Sequence, residues 1–455
     1  MKQRLALLGL VVFALLACKK FEEEKEQKSL DQYRSNFIKG CIKGDDTDSP
    51  FPSAEKNRIC GCIADAYMKG KRFDDLVAEE EADASSSFVK PAVEACKFVA
   101  KGRAWAVRVP PPKPLELYTA ETKIPQADPG SEELNDAIDL RESKQFDLAE
   151  AAFKTLVAAS PKDAEFAFQH YVNLSFMGRT DEALDALESA YKLGFNEYPT
   201  IRYIFLPGAV AFSTRYEKTL AGLRDRYNTT PPPIGTPYAF IPKGKPPKNG
   251  FPVLVVLHAY ASNHGNWVEF SKDWKKRGVV VIALPGSLPL GKNRLCWHVG
   301  TFEATHDAIQ AALKSDLVSN VIDPKRVIVV GYGQGAQHAV GVVTEHSEAY
   351  SAVFAIAPGG PPEPLGDKLA LETPAKPRMV VVTGSEAESA PRSYRFQRLA
   401  AGAGWPVVLL EQPGKDSFPE EYPQNGVAIM DYLLGKAESI KGSPKLKPVT
   451  PSAAP

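Results

Sequence analysis

The sequence predicts a multidomain chain that ends in an α/β domain with a mostly parallel, doubly wound sheet. Three observations carry that expectation. Six short apolar runs, Val253–Leu257, Val279–Leu284, Val327–Val330, Ala352–Ala357, Met379–Thr383 and Val407–Leu410, are separated by helical patterns, the alternation of strands and crossover helices. Ahead of them, small and apolar residues return at an interval of about 34 residues, the mark of a helical repeat. Nearer the N-terminus, Cys41, Cys60, Cys62 and Cys96 lie among three stretches with apolar residues at helical spacing. With 455 residues, 44% of them hydrophobic, the chain can bury several cores. Its 55 basic residues balance 55 acidic ones, so net charge gives no reason to expect nucleic acid as a partner.

At the N-terminus, Lys2 and Arg4 precede an apolar run from Leu5 to Leu16, long enough for a signal peptide and too short to span a bilayer. The run ends Leu15, Leu16, Ala17, Cys18, which resembles the lipobox of bacterial lipoproteins. That resemblance implies removal of residues 1–17 and acylation of Cys18. It also implies a lipid-anchored place at the bacterial cell envelope, with soluble domains in the periplasm or at the cell surface. Lys19 after the cysteine is compatible with the outer membrane in that family. Residues 18–30 are charge-dense and read as a tether.

Residues 31–105 form a small α domain, with helices expected over Asp31–Lys43, Ser53–Lys69 and Ser87–Lys101, the last two capped by Ser53 and Ser87. Export permits disulfides, and Cys-x-Cys without a nearby histidine is a poor zinc pattern, so two disulfides are expected and no metal. Helical positions two apart point about 200° apart, so Cys60 and Cys62 reach different neighbours, one bearing Cys41 and the other Cys96. Which takes which is open.

Residues 106–128 are a proline-rich linker whose core, VPPPKPLEL, should be extended. Residues 129–227 are helical. Phe146, Ala149, Phe153 and Pro161 are followed by Gly178, Ala183 and Leu187, and the stretch from Ser131 to Asn196 resembles two tetratricopeptide repeats. In that family small residues such as Ala149 and Ala183 let paired helices approach, and the concave face binds protein. Tyr198–Tyr227 should supply a capping helix.

Residues 228–437 form the α/β domain, opening with a β-hairpin pattern around Tyr238–Ile241, and residues 438–455 read as a disordered tail. The central stretch is RVIVVGYGQGAQHAV, from Arg326 to Val340: an unbroken apolar strand, then glycines at 331, 333 and 335, then helix-tolerant residues. GYGQGA also fits a dinucleotide fingerprint, but two apolar strands precede it. The next strand, moreover, ends in Pro358, Gly359 and Gly360 without the carboxylate that would hold a ribose. A nucleophile elbow fits better. Together with LHAYASN (257–263), LPGS (284–287), FAIAPG (354–359), VVVTGSE (380–386) and PGKDSFP (413–419), the stretch resembles the α/β-hydrolase superfamily. The likeness is greatest to its phospholipase/carboxylesterase and dienelactone-hydrolase-like branch.

That resemblance implies a serine at the elbow, an acid after a later strand and a histidine after the last strand. Here the three positions hold Gly333, Ala387 and Asp416. Glu386 or Glu388 could supply the acid, but all seven histidines, from His170 to His346, precede the fifth apolar run at Met379. The oxyanion-like loop keeps His258, Ala259 and Gln334, with Ala259 where the family has glycine. His258 reads as a loop-positioning residue, and Cys296 as a buried small residue with a substitute nucleophile as the rival. The expected protein is therefore non-catalytic and without cofactor. It binds a small molecule through the old cleft, or a protein through the repeats. An esterase with a relocated nucleophile and a pure interaction scaffold are the alternatives.

Overall fold

The computed structural model describes residues 28–30, 32–39, 64, 68, 76, 109, 111–119, 122–201, 210, 213–298, 302–358, 373, 375–387, 389–418, 422–441 and 447–449. The chain divides into two compact units, residues 1–106 with 206–220 and residues 107–205 with 221–455. In the first, residues 32–39 are helical, as are Ala64, Met68 and Leu76. The signal run, Cys18, Cys41, Cys60, Cys62, Cys96 and the expected helix Ser87–Lys101 lie outside the described residues. Among the described residues no helix is long and apolar enough to cross a membrane, and no cluster of side chains could hold a metal.

The second unit is built on a nine-stranded sheet in the order β1-β2-β4-β3-β7-β8-β9-β10-β11. Its strands are β1 (Glu116–Leu117), β2 (Tyr238–Phe240), β3 (Phe251–Leu257), β4 (Val280–Leu284), β7 (Ile322–Tyr332), β8 (Ala352–Ile356), β9 (Arg378–Gly384), β10 (Val407–Gln412) and β11 (Lys447–Val449). From β4 to β10 every pairing is parallel. Strands β3, β4 and β8 are buried at every residue, which explains why they read as continuous apolar runs rather than alternating ones. Successive side chains serve opposite faces: Val253, Val255 and Val329 join the core on one side, Leu254, Val256 and Val330 the core on the other. β7, carrying the glycine-rich stretch, is the fifth of nine strands and so central, as expected. It begins earlier than its apolar run, with a register shift opposite Phe251–Val253 that accommodates Pro324, a residue with no N–H to give to a ladder.

Three expectations at the margins need correction. Tyr238–Phe240 forms no hairpin with β3; it pairs antiparallel with β4 and parallel with β1. The connection 241–250 is too long for a hairpin turn, and β3 goes instead between β4 and β7. The end of the linker is ordered into the sheet, with the Glu116 N–H donating to Pro237 O at 3.0 Å and the Tyr118 N–H to Ala239 O at 2.9 Å. In the supposed disordered tail, Lys447–Val449 adds antiparallel to β10, held also by Gln397 Nε2 donating to Val449 O at 2.8 Å. The free edge of β10 is a template for any extended segment, and the tail takes it.

The helical part contains α1 (Glu132–Glu142), α2 (Phe146–Ala159), α3 (Ala164–Phe176) and α4 (Thr180–Lys192), followed by one turn at Tyr198–Ile201 and by α5 (Thr214–Thr229). Ser131 caps α1 by accepting from the Leu134 N–H, and Asp163 caps α3 by accepting from Glu165 and Phe166. Ala149, Phe153, Ala183 and Leu187 are all fully buried, and Gly178 turns the chain at φ 73°. Glu150 is buried among His170, Lys154 and Arg179. Burial alone would raise its pKa, but the His170 hydrogen bond and the two cations outweigh it and hold the carboxyl low.

A two-stranded hairpin, β5 (Leu288–Gly291) and β6 (Arg294–Cys296), ties these helices to the sheet domain. Arg294 donates Nη1 to Glu165 at 2.7 Å and Nη2 to Glu197 at 2.5 Å, and Lys292 reaches Glu165 at 3.0 Å. Only 13% of the Arg294 side chain and 9% of that of Glu165 are exposed, so the clamp is largely desolvated. Arg294→Ala is therefore expected to cost on the order of 3 kcal/mol, because it leaves buried acids short of their partner. Urea unfolding of Arg294→Ala and Arg294→Lys would measure this, lysine recovering less than half. A loss under about 0.5 kcal/mol in both would mean that the clamp is idle.

Candidate functional site

The turn between β7 and α8 (Gln334–Glu345) is built as an elbow, and its sterics explain the glycine pattern. A Cβ on Gly331 would lie 2.2 Å from Gly335 O, and one on Gly335 would lie 2.2 Å from Leu257 O. Neither position admits a side chain. Gly333 is different. It adopts φ 56°, ψ −119°, a conformation that strains any L-residue, yet a Cβ there would meet only Ala259 Cβ at 3.3 Å. The backbone is thus shaped to present a side chain that the sequence does not supply. It is fixed by the Gly333 N–H donating to Ile356 O at 3.0 Å, and by Ala336 and Gln337 N–H groups donating to Gly333 O. Two strained non-glycine residues, Ala261 at φ 56° and Ala357 at φ 48°, follow the ends of β3 and β8, on the same carboxyl edge of the sheet.

His258 is fully buried. Its Nε2 accepts from the Gly286 N–H at 2.7 Å, so Nδ1 carries the proton and donates to Ala259 O, also at 2.7 Å. Burial pushes its pKa down to about 3, against the opposing pull of Ala259 O. A neutral imidazole with both nitrogens engaged holds the loop in shape and is in no position to take a proton from a nucleophile. Gln334 is similarly occupied. Its Oε1 accepts from the Trp297 N–H at 3.0 Å and its Nε2 donates to Trp297 O at 3.1 Å, while Trp297 Nε1 donates to His258 O at 2.7 Å. The Gln334 backbone N–H stands at the first position of α8, where no intrahelical acceptor exists.

At the positions the resemblance assigns to the acid and the histidine, the polar side chain present is bonded to the loops themselves. Asp416 Oδ1 accepts from the Gly384 N–H at 2.9 Å and from Thr383 Oγ1 at 3.4 Å, and Oδ2 accepts from Ser389 Oγ. Ala387 lies in the same β9–α9 loop, before α9 (Ala390–Gly402), and Gly384 has no room for a Cβ, which would fall 2.4 Å from Gly414 O. The loops after β9 and β10 are further knit by the Glu386 N–H donating to Gly414 O at 2.9 Å. Asp416 therefore works as a staple between the two loops that would bear acid and base. Burial, with Asp416 nearby as the second cause, raises the Tyr332 phenol. Glu388, the other candidate acid, lies outside the described residues.

A largely parallel sheet with a strand–elbow–helix at its centre fits the α/β-hydrolase fold. No family model matches the chain, and no curated protein does. Among solved structures it is similar to esterase PE8, at 18% identity over 42% of this chain and 96% of that one, with a TM-score of 0.34. A carboxylesterase of Bacillus cereus aligns at 14% identity over 46% of this chain and 97% of its own, with a TM-score of 0.37. An uncharacterized protein from Bacillus cereus ATCC 10987 aligns at 16% over 67% and 98%, with a TM-score of 0.37.

Cys296 is fully buried at the end of β6, near the Tyr227 and Tyr260 phenols, whose pKa values burial raises. Its complete burial fits a packing role. Sequence reading missed Trp297. Its indole bridges the loop after β3 and helix α8, contacting the rings of His258 at 5.0 Å and His338 at 5.7 Å between centroids. The only sequence signal was a tryptophan between two other polar-capable residues, Cys296 and His298.

Proposed function

We propose that this is a membrane-anchored, non-catalytic α/β-hydrolase-fold protein that binds a small molecule or a protein at the bacterial cell envelope. The observation that carries the reading is the elbow itself. Its backbone keeps the conformation of a nucleophile turn at Gly333, but no side chain is there to attack. The position that would bear the base holds Asp416, committed to Gly384 and Ser389. A fold that keeps such a turn without chemistry to use it fits a retained binding surface. The fluorophosphonate test is direct: no residue of the folded wild-type protein should be labelled, and substrate-protectable labelling anywhere in residues 228–437 would establish a relocated nucleophile instead.

The helical part supports a second binding face. Tetratricopeptide-like spacing places Ala149 and Ala183 at the buried contacts, while Leu148 stays 58% exposed and Phe176 41% exposed. A protein partner would be detected by crosslinking that depends on residues 131–227. Anchoring follows from the lipobox resemblance: Cys18→Ser is expected to abolish lipid labelling and leave the precursor uncleaved, and continued acylation of that variant would refute it.

A further inference from the structure

We propose that a cavity walled by the linker is a second ligand site, taking a neutral, mainly apolar molecule that carries one hydroxyl group. The cavity has a volume of about 730 Å³, in the range of small-molecule sites, and lies between the linker, the carboxyl end of β4 and α7 (Glu303–Leu313). It goes beyond the cleft reading, since Gly333, Ala387 and Asp416 are not among its lining residues.

The linker is a built wall. Lys113 Nζ donates to Ile234 O at 2.9 Å, and just beyond it β1 joins the sheet, so Pro114 is held on both sides and Pro111 and Pro112 lead directly into the held segment. Opposite stand Ala304, Ala308 and Ala311, spaced along one helix face beside Asp307, so that small methyl groups leave room rather than filling it. Leu284 and Trp297 also line the cavity. Within these apolar walls the Ser287 hydroxyl is buried and has no hydrogen-bond partner. An unmet buried hydroxyl costs about 1–3 kcal/mol, and a ligand hydroxyl placed beside it would recover part of that. Lys113 and Lys314 balance Asp307 and Asp316 among the lining residues, and Lys113 is already engaged, so the charge favours neither an acid nor an amine. Because Trp297 both lines this cavity and binds Gln334, the site abuts the residue after the elbow.

The test is photolabelling of the full chain with a ten-carbon alcohol bearing a diazirine, mapped by mass spectrometry. Saturable labelling is expected within residues 109–115, 284–297 or 304–316, competed about tenfold better by 1-decanol than by decanoate. Ala308→Trp should fill the cavity and weaken labelling at least about tenfold with the melting temperature preserved. Ser287→Ala removes only an unpartnered oxygen. It should weaken 1-decanol competition about 3- to 10-fold while leaving labelling by a diazirine hydrocarbon unchanged. Labelling that does not saturate, maps elsewhere, survives Ala308→Trp, or is competed equally by decanoate would overturn the site or its ligand class. Should Ala308→Trp not fold, unchanged 1-decanol affinity in Ser287→Ala would overturn the proposal alone. None of these outcomes depends on whether the elbow is catalytic.

Discussion

Purified wild-type protein is expected to hydrolyse aryl esters and thioesters roughly 10⁴- to 10⁶-fold more slowly than an intact serine hydrolase, at the level an oxyanion site and binding alone provide. The reason is now geometric as well as compositional. Gly333 has nothing to attack with, His258 is neutral and doubly hydrogen-bonded, and Asp416 is spent on Gly384 and Ser389. Repair must be joint, since nucleophile, base and acid act as a unit. Gly333→Ser alone should leave the rate at its floor and lower stability by about 1–3 kcal/mol, the cost of an L-residue at φ 56°, ψ −119°. Combined with Ala387→Asp and Asp416→His it should gain measurable turnover. The same change at 416 removes the staple between two loops, so part of any gain will be offset by their loosening. Steady-state assays on both variants and wild type decide the matter. Wild-type turnover near 1 s⁻¹, within the ordinary enzyme range, would sink the non-catalytic reading.

What could be read from the sequence follows from which forces act locally. Strands buried on both faces must be apolar at every residue, so β3, β4, β8 and the Val327–Val330 run of β7 announced themselves, while the elbow's outer glycines are demanded by close backbone contacts, Gly331 with Gly335 O and Gly335 with Leu257 O at the end of β3. Strands β1 and β11 are two and three residues long, prolines beside or within them, and exist because a sheet edge offers hydrogen bonds; nothing in Lys447–Val449 itself encodes a partner. Asp416 was legible as a missing histidine, but its role depends on Ser389, which lies 27 residues away in sequence. Trp297 and the Arg294 clamp were hidden for the same reason: their partners Gln334, Glu165 and Glu197 are brought up by tertiary folding, which leaves no period in the sequence.

Stability should fall steeply as pH drops from 6.5 to 5. His258, His338 and His264 are 0%, 4% and 2% exposed, and burial pushes their pKa values down from 6.5 to about 3, about 3 and about 4. A depressed histidine stabilises the fold fully above 6.5; as pH falls, the unfolded chain takes up the proton that the folded one refuses, and that stability is lost down to the folded pKa. Three such groups would cost about 4 kcal/mol per pH unit. Glu197 opposes them. Burial raises it to about 7 despite Arg294, so between pH 7 and 4.5 the folded chain holds a proton that the unfolded chain has released, and acidification favours folding by that one proton. Two protons net approach about 2.7 kcal/mol per unit once the unfolded histidines are charged, or about 3 kcal/mol lost between pH 6.5 and 5, a large share of an ordinary folding free energy. Trp267, Trp274, Trp297 and Trp405 are all buried in the sheet domain, so their fluorescence follows its unfolding. Urea midpoints at pH 7, 6 and 5 should fall accordingly, and His338→Gln should remove about one proton from the slope while keeping a partner for Thr305, which now bonds His338 Nδ1 at 2.8 Å. A midpoint that holds steady from pH 7 to 5 would show that these histidines are already charged in the folded protein, and a charged His258 could not accept the Gly286 N–H that shapes the loop beside the elbow.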